Sequence, residues 1–463
     1  MKSISRAVAT GAVCALVFGA LAFQAAAQAA GAVDPSFGNG GAAIIGGLDA
    51  YGPSAMVVRA GGHISYAASR PGFGDVLVGS RTQDGLEDVD FANGGLVPID
   101  VAGGSVSGPV LGFDPVSGAT ILAATALKSG VYHLLLCRIL DDGTFDPTFH
   151  LLNYPDQTGC IVTNPPADAP NGLNVTSMSI TADGVILLGG TAYNFATAPT
   201  FRAFYSSVQS GFVDVAHQVL TVAQNNVFIN ALAVDDVSDY TFMTGSIQLV
   251  DDQSNVDTAI LVIKVHSVLG WTYSIIDPNF VPMGYDEGRA IAARPDGKIV
   301  IAGTVDIASP VFTDCAVYQV DSDLNLDPGF GDAHNGSIIT AFSGGTSDGA
   351  RCDALAVDAS HVYVGGTARI DNDSDRDMAV ARLNYDGTFD PGFGIAQSGI
   401  AILGPGDSQS LTRFDTVLAM GLQQSRVVVA GPIEPMSGAT PENSEMAFVR
   451  LGDDEFVFAN SFE

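Results

Sequence analysis

One four-residue phrase constrains this chain more than any other feature. Asp-Pro-x-Phe stands at Asp34-Pro35-Ser36-Phe37, Asp146-Pro147-Thr148-Phe149, Asp277-Pro278-Asn279-Phe280, Asp327-Pro328-Gly329-Phe330 and Asp390-Pro391-Gly392-Phe393. Weaker versions stand at Asp90-Phe91 and near Phe212. Proline fixes φ and a following glycine permits a tight reversal, so the phrase predicts a preformed corner at a strand end. Its Phe is then available to be buried between neighbouring units, where one aromatic ring removes a large apolar area from water. A phrase reused along a chain marks copies of one supersecondary unit, which bury their apolar faces against one another.

The unit is a hairpin. In "RAIAARPDGKIVIAGT" (289–304) two apolar strands meet at Pro295-Asp296-Gly297, where Gly accepts positive φ and Asp hydrogen-bonds the turn. Related hairpins start near residues 55, 108, 175, 229, 352 and 414, at intervals of about sixty residues. Each is followed by a further apolar strand, as in "DMAVARLNYDG" (377–387), and preceded by another, as in "GSIITAF" (336–342) and "SGIAILG" (398–404). Runs such as Ile299-Val300-Ile301-Ala302 are apolar on both faces, as a strand between two neighbouring sheets must be, and Ala290, Ala292 and Ala293 suit a crowded inner strand. The expectation is an all-β fold, a β-propeller of about seven blades with four antiparallel strands each. A parallel β-helix has shorter repeats, and paired sandwich domains do not account for so many similar units.

The chain ends fit the same scheme. "EMAFVRLGDDEFVFANSFE" (445–463) aligns with the last strand of a unit plus a worn corner, and "DPSFGNGGAAIIG" (34–46) supplies a corner and a strand. Pairing of these terminal strands is expected to complete one sheet and close the ring, which removes exposed edges. "FVFANSFE" also resembles short C-terminal tails on secreted proteins of some proteobacteria, a resemblance that implies a sorting role.

Units of the form "PDGKIVIAGT … MAVARLNYDGTFDPGFG" resemble the delta-60 repeat family, a bacterial secreted β-propeller repeat. The strongest matches are residues 285–331 and 345–394, and degenerate copies extend the resemblance over about 34–455. The resemblance implies a fold. It brings no reaction and no catalytic residues, since the family is defined by its repeat.

Lys2 and Arg6 precede an apolar run from Ala7 to Phe23 and then "QAAAQAAG", the layout of a secretory signal; residues 1–29 are expected to be removed, leaving 30–463 as a single repeat domain. Four cysteines then remain, Cys137, Cys160, Cys315 and Cys352. An even count in an oxidising compartment favours disulfides, the simplest of three pairings being Cys137 to Cys160 and Cys315 to Cys352. The net charge of −31 opposes nucleic acid and anionic lipid as partners. No segment after the signal is long and apolar enough for a membrane span. The expected product is therefore an exported, cell-surface, extracellular or periplasmic protein, a monomer whose partner is a protein or a glycan.

Chemistry is sparse. Asp371, Asp373, Asp375 and Asp377 alternate in a short segment and can present hard oxygens to Ca²⁺, although the run lacks the glycine and the closing glutamate of an EF-hand and also reads as a solvated acidic loop. Apart from that calcium loop, no cofactor is expected. Gly345-Thr346-Ser347-Asp348-Gly349 matches G-x-S-x-G but joins two strands, where a nucleophile elbow needs a strand-to-helix turn. The seven histidines fall in different units and suggest no common base. A binding or scaffold module is the first functional expectation, and a propeller hydrolase or lyase on extracellular polysaccharide is the alternative.

Overall fold

The computed structural model describes residues 30–452 except 49, 51–53, 93, 152–156, 196–199, 210–214, 223–224, 236–237, 251–255, 267, 279–283, 309–311, 332, 341, 343–348, 370–375, 395–397, 405–414 and 434–444. Every regular element among them is a strand. In chain order these are β1 (Ala42–Ile45), β2 (Ala55–Val58), β3 (Ile64–Arg70), β4 (Asp75–Arg81), β5 (Leu96–Ile99), β6 (Gly104–Phe113), β7 (Thr120–Lys128), β8 (Val131–Ile139) and β9 (Cys160–Val162). Next come β10 (Gly172–Ile180), β11 (Val185–Asn194), β12 (Thr200–Gln209), β13 (Ala216–Leu220), β14 (Val227–Asp235), β15 (Tyr240–Val250), β16 (Val256–His266) and β17 (Gly270–Ile276). The last are β18 (Glu287–Ala293), β19 (Ile299–Ala308), β20 (Phe312–Val320), β21 (Ser337–Thr340), β22 (Arg351–Val357), β23 (His361–Arg369), β24 (Arg376–Asn384), β25 (Ile400–Leu403), β26 (Ala419–Gln423), β27 (Arg426–Ile433) and β28 (Glu445–Arg450).

The strands form four-stranded antiparallel sheets of the β-propeller type: β2 to β5, β14 to β17, β18 to β21, β22 to β25, and β26-β27-β28-β1. The remaining eight strands are two such groups, β6 to β9 and β10 to β13, joined by the pairing of Gly172 with Tyr132. The first strands pack on one another in succession, β2 on β6, β6 on β10, β10 on β14, β14 on β18, β18 on β22, β22 on β26, and β26 on β2. β1 pairs antiparallel with β28, from Ala42 opposite Val449 to Ile45 opposite Met446, so the two chain ends share a sheet. The stretches 336–342 and 398–404 do not open a unit: β21 and β25 pair with β20 and β24, as the outer strands of the preceding sheets.

Burial follows the two-sided apolar pattern. Val300, Ile301 and Ala302 of β19 have no exposed surface. Ile301 packs with Ile260 and Val262 of the preceding sheet, while Val300 and Ala302 pack with Val362 and Val364 of the next. Each of the buried Val and Ile side chains contributes about 1.5–3 kcal/mol. Alternate residues therefore serve alternate sheets, which is why one strand holds three together. The disulfides are Cys137–Cys160, within one sheet across β8 and β9, and Cys315–Cys352, between β20 and the first strand of the next sheet. No helix among the described residues is long and apolar enough to cross a membrane.

Candidate binding face

In a four-stranded antiparallel sheet, the first-to-second and third-to-fourth connections leave at one end and the second-to-third connection at the other. The Asp-Pro-x-Phe corners occupy the first of these ends. In each described corner the Asp carboxylate accepts the N–H two residues on, from Ser36 at 3.0 Å, Thr148 at 2.8 Å, Gly329 at 2.9 Å and Gly392 at 2.8 Å. The Phe N–H closes the turn on the Asp carbonyl, and Phe37, Phe149, Phe330 and Phe393 are buried. The weaker copy has its frame at Asp88 and not Asp90: Phe91 N–H binds the Asp88 carbonyl at 3.1 Å, without proline. Nor does the phrase depend on its own glycine. Positive φ falls one residue after the Phe, at Gly38, Ala92, Gly331 and Gly394, while Ser36 and Thr148 stand where other copies have Gly. Asp277 and Pro278 are partly buried, and their Phe280 lies outside the described residues, as does Phe212.

Four of the five described corners are stitched to the next unit by the residue after the Phe. The N–H groups of Gly38, Ala92, Gly331 and Gly394 donate to the carbonyls of Asp84, Asp142, Asp386 and Ala30 at 2.7, 2.8, 2.8 and 2.9 Å. The first three acceptors are the Asp of an Asp-Gly turn, and Ala30 takes that place for the chain end. Beneath the corner lies a residue eight positions earlier. Arg138 pairs with Asp146, Arg382 with Asp390 at 2.5 Å, Gln319 donates to Asp327 at 2.6 Å, and Ser80 to Asp88 at 2.7 Å. Arg138 and Arg382 also cover the Phe149 and Phe393 rings, 4.7 and 4.9 Å from their centroids. In the last sheet Phe458 stands eight positions after Arg450, and Arg450 instead binds Asp34 at 2.8 Å and covers Phe37. The corner on Arg450 thus comes from the N-terminus; the worn C-terminal copy lies outside the described residues. Burial works to raise the Asp34 and Asp146 carboxyls, but hydrogen bonds from Ser36 and Thr148 and the nearby arginines hold both below the usual range. At this end the corners act as joints between units.

The opposite end carries what differs between copies. Its second-to-third connections range from residues 129–130 in one unit to 434–444 in another. Here four inner strands carry a register irregularity at the same place, Thr176 in β10, Asn230 in β14, Arg289 in β18 and Asp353 in β22. A bulge adds one residue and re-aims its side chain. These side chains reach across to the next unit. Thr176 Oγ1 donates to the Ile229 carbonyl at 2.6 Å, Asn230 Nδ2 to the Gly288 carbonyl at 2.9 Å, and Arg289 pairs with Asp353. Around Arg289 gather Glu287, which also accepts the Tyr285 hydroxyl at 3.1 Å, and Arg351, whose Nη2 lies 3.0 Å from Asp353. Burial first, and then the neighbouring Glu287, push the Tyr285 phenol up. At the equivalent place the other units have Ser54, Pro109 and Leu418, so the charged members of the column, Arg289 and Asp353, stand in adjacent units. Alignment of the first strands is the signal that finds this set: one variable column between small or apolar neighbours.

Aromatic rings continue the same face. Tyr132 and Tyr193 lie edge to face at 5.0 Å, Tyr193 stacks on Phe195 at 5.5 Å, and Phe201 meets Phe228 at 5.2 Å, so the row crosses three sheets. Phe195 is exposed, and the amides of Asn171 and Asn226 hold the Phe195 and Phe201 backbones. Behind Tyr285 lies an acid pair. Asp286 accepts the Asp306 N–H at 2.9 Å, and Asp306 accepts the Tyr285 N–H at 2.7 Å. Both carboxyls are buried, and burial, with the charges of Asp306, Asp257 and Asp277, lifts Asp286 to about 7.

Asp371, Asp373 and Asp375 lie outside the described residues, and Asp377 stands in β24 opposite Ala368. No group of three or more His, Cys, Asp or Glu placed to hold a metal occurs among the described residues. Ser347 of the G-x-S-x-G stretch is also outside them.

Parts of the chain match known proteins. Two stretches, 294–330 and 361–393, match the model of a domain of unknown function (DUF5122) beta-propeller. Its repeat is a propeller repeat. Both stretches run from a hairpin turn or second strand through the corner Phe, the joint described above. No curated protein matches. Among solved structures, a protein of unknown function from Dyadobacter fermentans matches at 12% identity and a TM-score of 0.43, over 76% of this chain and 96% of that one. The polysaccharide lyase Uly1 matches at 10% identity and 0.48, over 88% and 91%, and a PL25 ulvan lyase at 9% and 0.46, over 88% and 96%.

Proposed function

We propose that the chain is exported after removal of residues 1–29 and folds as a monomeric ring of seven delta-60-type blades that binds an extracellular glycan or protein across its loop face. The ring reading is supported by the cyclic succession of first strands and by β1 pairing with β28. Export is supported by the signal-like N-terminus and by two disulfides, which persist in oxidising compartments. One observation carries the binding reading: the side chains that vary between copies, Thr176, Asn230, Arg289 and Asp353, collect with the aromatic row at one end, while the repeated corners stand at the other. A rigid ring that holds variable groups in register is the arrangement of a binding scaffold.

The test is a glycan and peptide array with the purified mature protein, with and without Ca²⁺, so that the 371–377 segment is tested too. Binding that Phe195→Ala and Asn230→Ala weaken, with melting temperature unchanged, is the expected result. Binding to neither array, or binding indifferent to both substitutions, overturns it. A hydrolase or lyase on polysaccharide is the second reading, favoured by the Tyr285–Glu287 hydrogen bond beside two arginines. Against it, the acids whose proton affinity burial raises, Asp286 and Asp257, accept the backbone N–H groups of Asp306 and Thr258, and the rim carboxylates are paired with arginine. Turnover of the bound glycan, lost in Glu287→Gln, would establish the enzyme.

A further inference from the structure

We propose that Arg289 and Arg351, with Tyr285, form the site for a carboxylate-bearing sugar, a uronate, on this rim. The inference rests on the binding reading above and adds the ligand class. Its basis is how the charges are layered. The side chains of Glu287 and Asp353 are only 11% and 3% exposed, whereas those of Arg289 and Arg351 are 27% and 32% exposed. The acids lie beneath and the guanidinium groups above. Both guanidinium groups converge on the same oxygen, Oδ1 of Asp353, which fixes them side by side.

Neither arginine is used up by its partners. A guanidinium offers five N–H donors in a planar fork. Arg289 engages Asp353 through Nε and Glu287 through Nη1, and Arg351 engages Asp353 through Nη2. The Nη2 group of Arg289 and the Nε and Nη1 groups of Arg351 remain for a planar anion, and a carboxylate matches such a fork with two parallel hydrogen bonds. Burying the anchoring carboxylates orders the arginines before a ligand arrives, which lowers the entropy cost of binding.

The neighbours select a sugar. Tyr285 is 52% exposed and is held by its hydroxyl on Glu287, so its ring is available to a C–H face. Asn230 reaches Glu287 and Gly288 from the preceding unit, and Thr416 reaches Asp353 at 3.4 Å from the next, so amide and hydroxyl groups flank the guanidinium pair. A carboxylate, hydroxyls and a C–H face in one residue are the features of a uronate. The overall charge of −31 opposes a polyanion at long range, but at about 0.15 M salt that field is screened beyond roughly 8 Å, and the guanidinium groups, which lie outside their acids, are the cluster's outermost charges.

The experiment is titration calorimetry of the full mature protein at about 0.15 M salt, with oligogalacturonate, its methyl ester and a neutral cello-oligosaccharide. Oligogalacturonate is expected to bind. The ester, which keeps the ring and hydroxyls but loses the charge, and Arg351→Gln are each expected to weaken binding about tenfold or more, with Arg351→Lys between. Equal affinity for acid and ester, or an unaltered Arg351→Gln, overturns the proposal; should Arg351→Gln unfold, the ester comparison on the wild-type protein still decides. Binding of the cello-oligosaccharide here, or of neutral glycans or peptides on the arrays, without binding of the oligogalacturonate sinks this inference alone. Failure to bind any of the three oligosaccharides sinks this inference, and the binding reading falls with it only when the glycan and peptide arrays are blank as well.

Discussion

Replacing Gly387 by Ala tests whether the repeated corner is a joint between units. Gly387 closes the Asp-Gly turn with φ of +88°. A Cβ there stands 2.7 Å from the Gly331 nitrogen and 3.1 Å from the Phe330 ring, both in the corner of the neighbouring unit. Gly297, in a hairpin turn, has a similar φ of +81° and nothing within 4 Å of its would-be Cβ. The pair separates two costs. Left-handed backbone costs an L-residue about 1–2 kcal/mol, and both substitutions incur it. Only Gly387→Ala must also push apart neighbouring units that touch at backbone distance, where overpacking adds about 1–3 kcal/mol. Urea unfolding of the mature protein should therefore place Gly297→Ala about 1–2 kcal/mol below wild type and Gly387→Ala about 2–5 kcal/mol below it. The Gly331 N–H to Asp386 carbonyl bond, 2.8 Å long, crosses this contact, so its amide should lose hydrogen-exchange protection in Gly387→Ala alone. Equal destabilisation by the two substitutions would falsify the joint, because the turn would then act within its own unit.

Two other outcomes follow from buried charge. Asp286 sits at about 7 in the folded protein because burial and neighbouring acids disfavour its charged form. The native state therefore holds a proton that the unfolded chain releases near the ordinary value of 3.8, and stability falls as pH rises between those values. Asp286→Asn should flatten that portion of the pH profile and raise the melting temperature near pH 8; an unchanged profile would show that Asp286 titrates normally. Arg450→Gln removes the bonds to Asp34, Ser36 and the Gln83 carbonyl by which the last strand grips the first corner. Because Arg426 still pairs with Asp34 at 2.7 Å, a loss of about 1.5–3 kcal/mol in urea unfolding is expected, the range for hydrogen bonds to charged groups, and a melt like wild type would mean that Arg450 adds nothing to the hold between the chain ends.

The unit and its class are legible in the chain itself. Two-sided apolar strands, Asp-Gly turns and a Phe at each corner are local requirements of a sandwiched four-stranded sheet, so they can be read without knowing what packs where. The cysteine pairing was also legible as the simplest option, since Cys137 and Cys160 flank one corner. Other features belong to the packed molecule. That Arg450 takes its corner from Asp34, more than four hundred residues away, depends on the two ends meeting in one sheet. The frame of the weak corner at Asp88 became visible only from the hydrogen bond it makes. The rim of Thr176, Asn230, Arg289 and Asp353 is spread over four units as single unremarkable positions, and it is a bulge on each inner strand that turns them toward their neighbours. Packing repeats the joint because every copy must make the same contact. It leaves the rim free to vary, and which varied residues meet there is decided only when the units stand side by side.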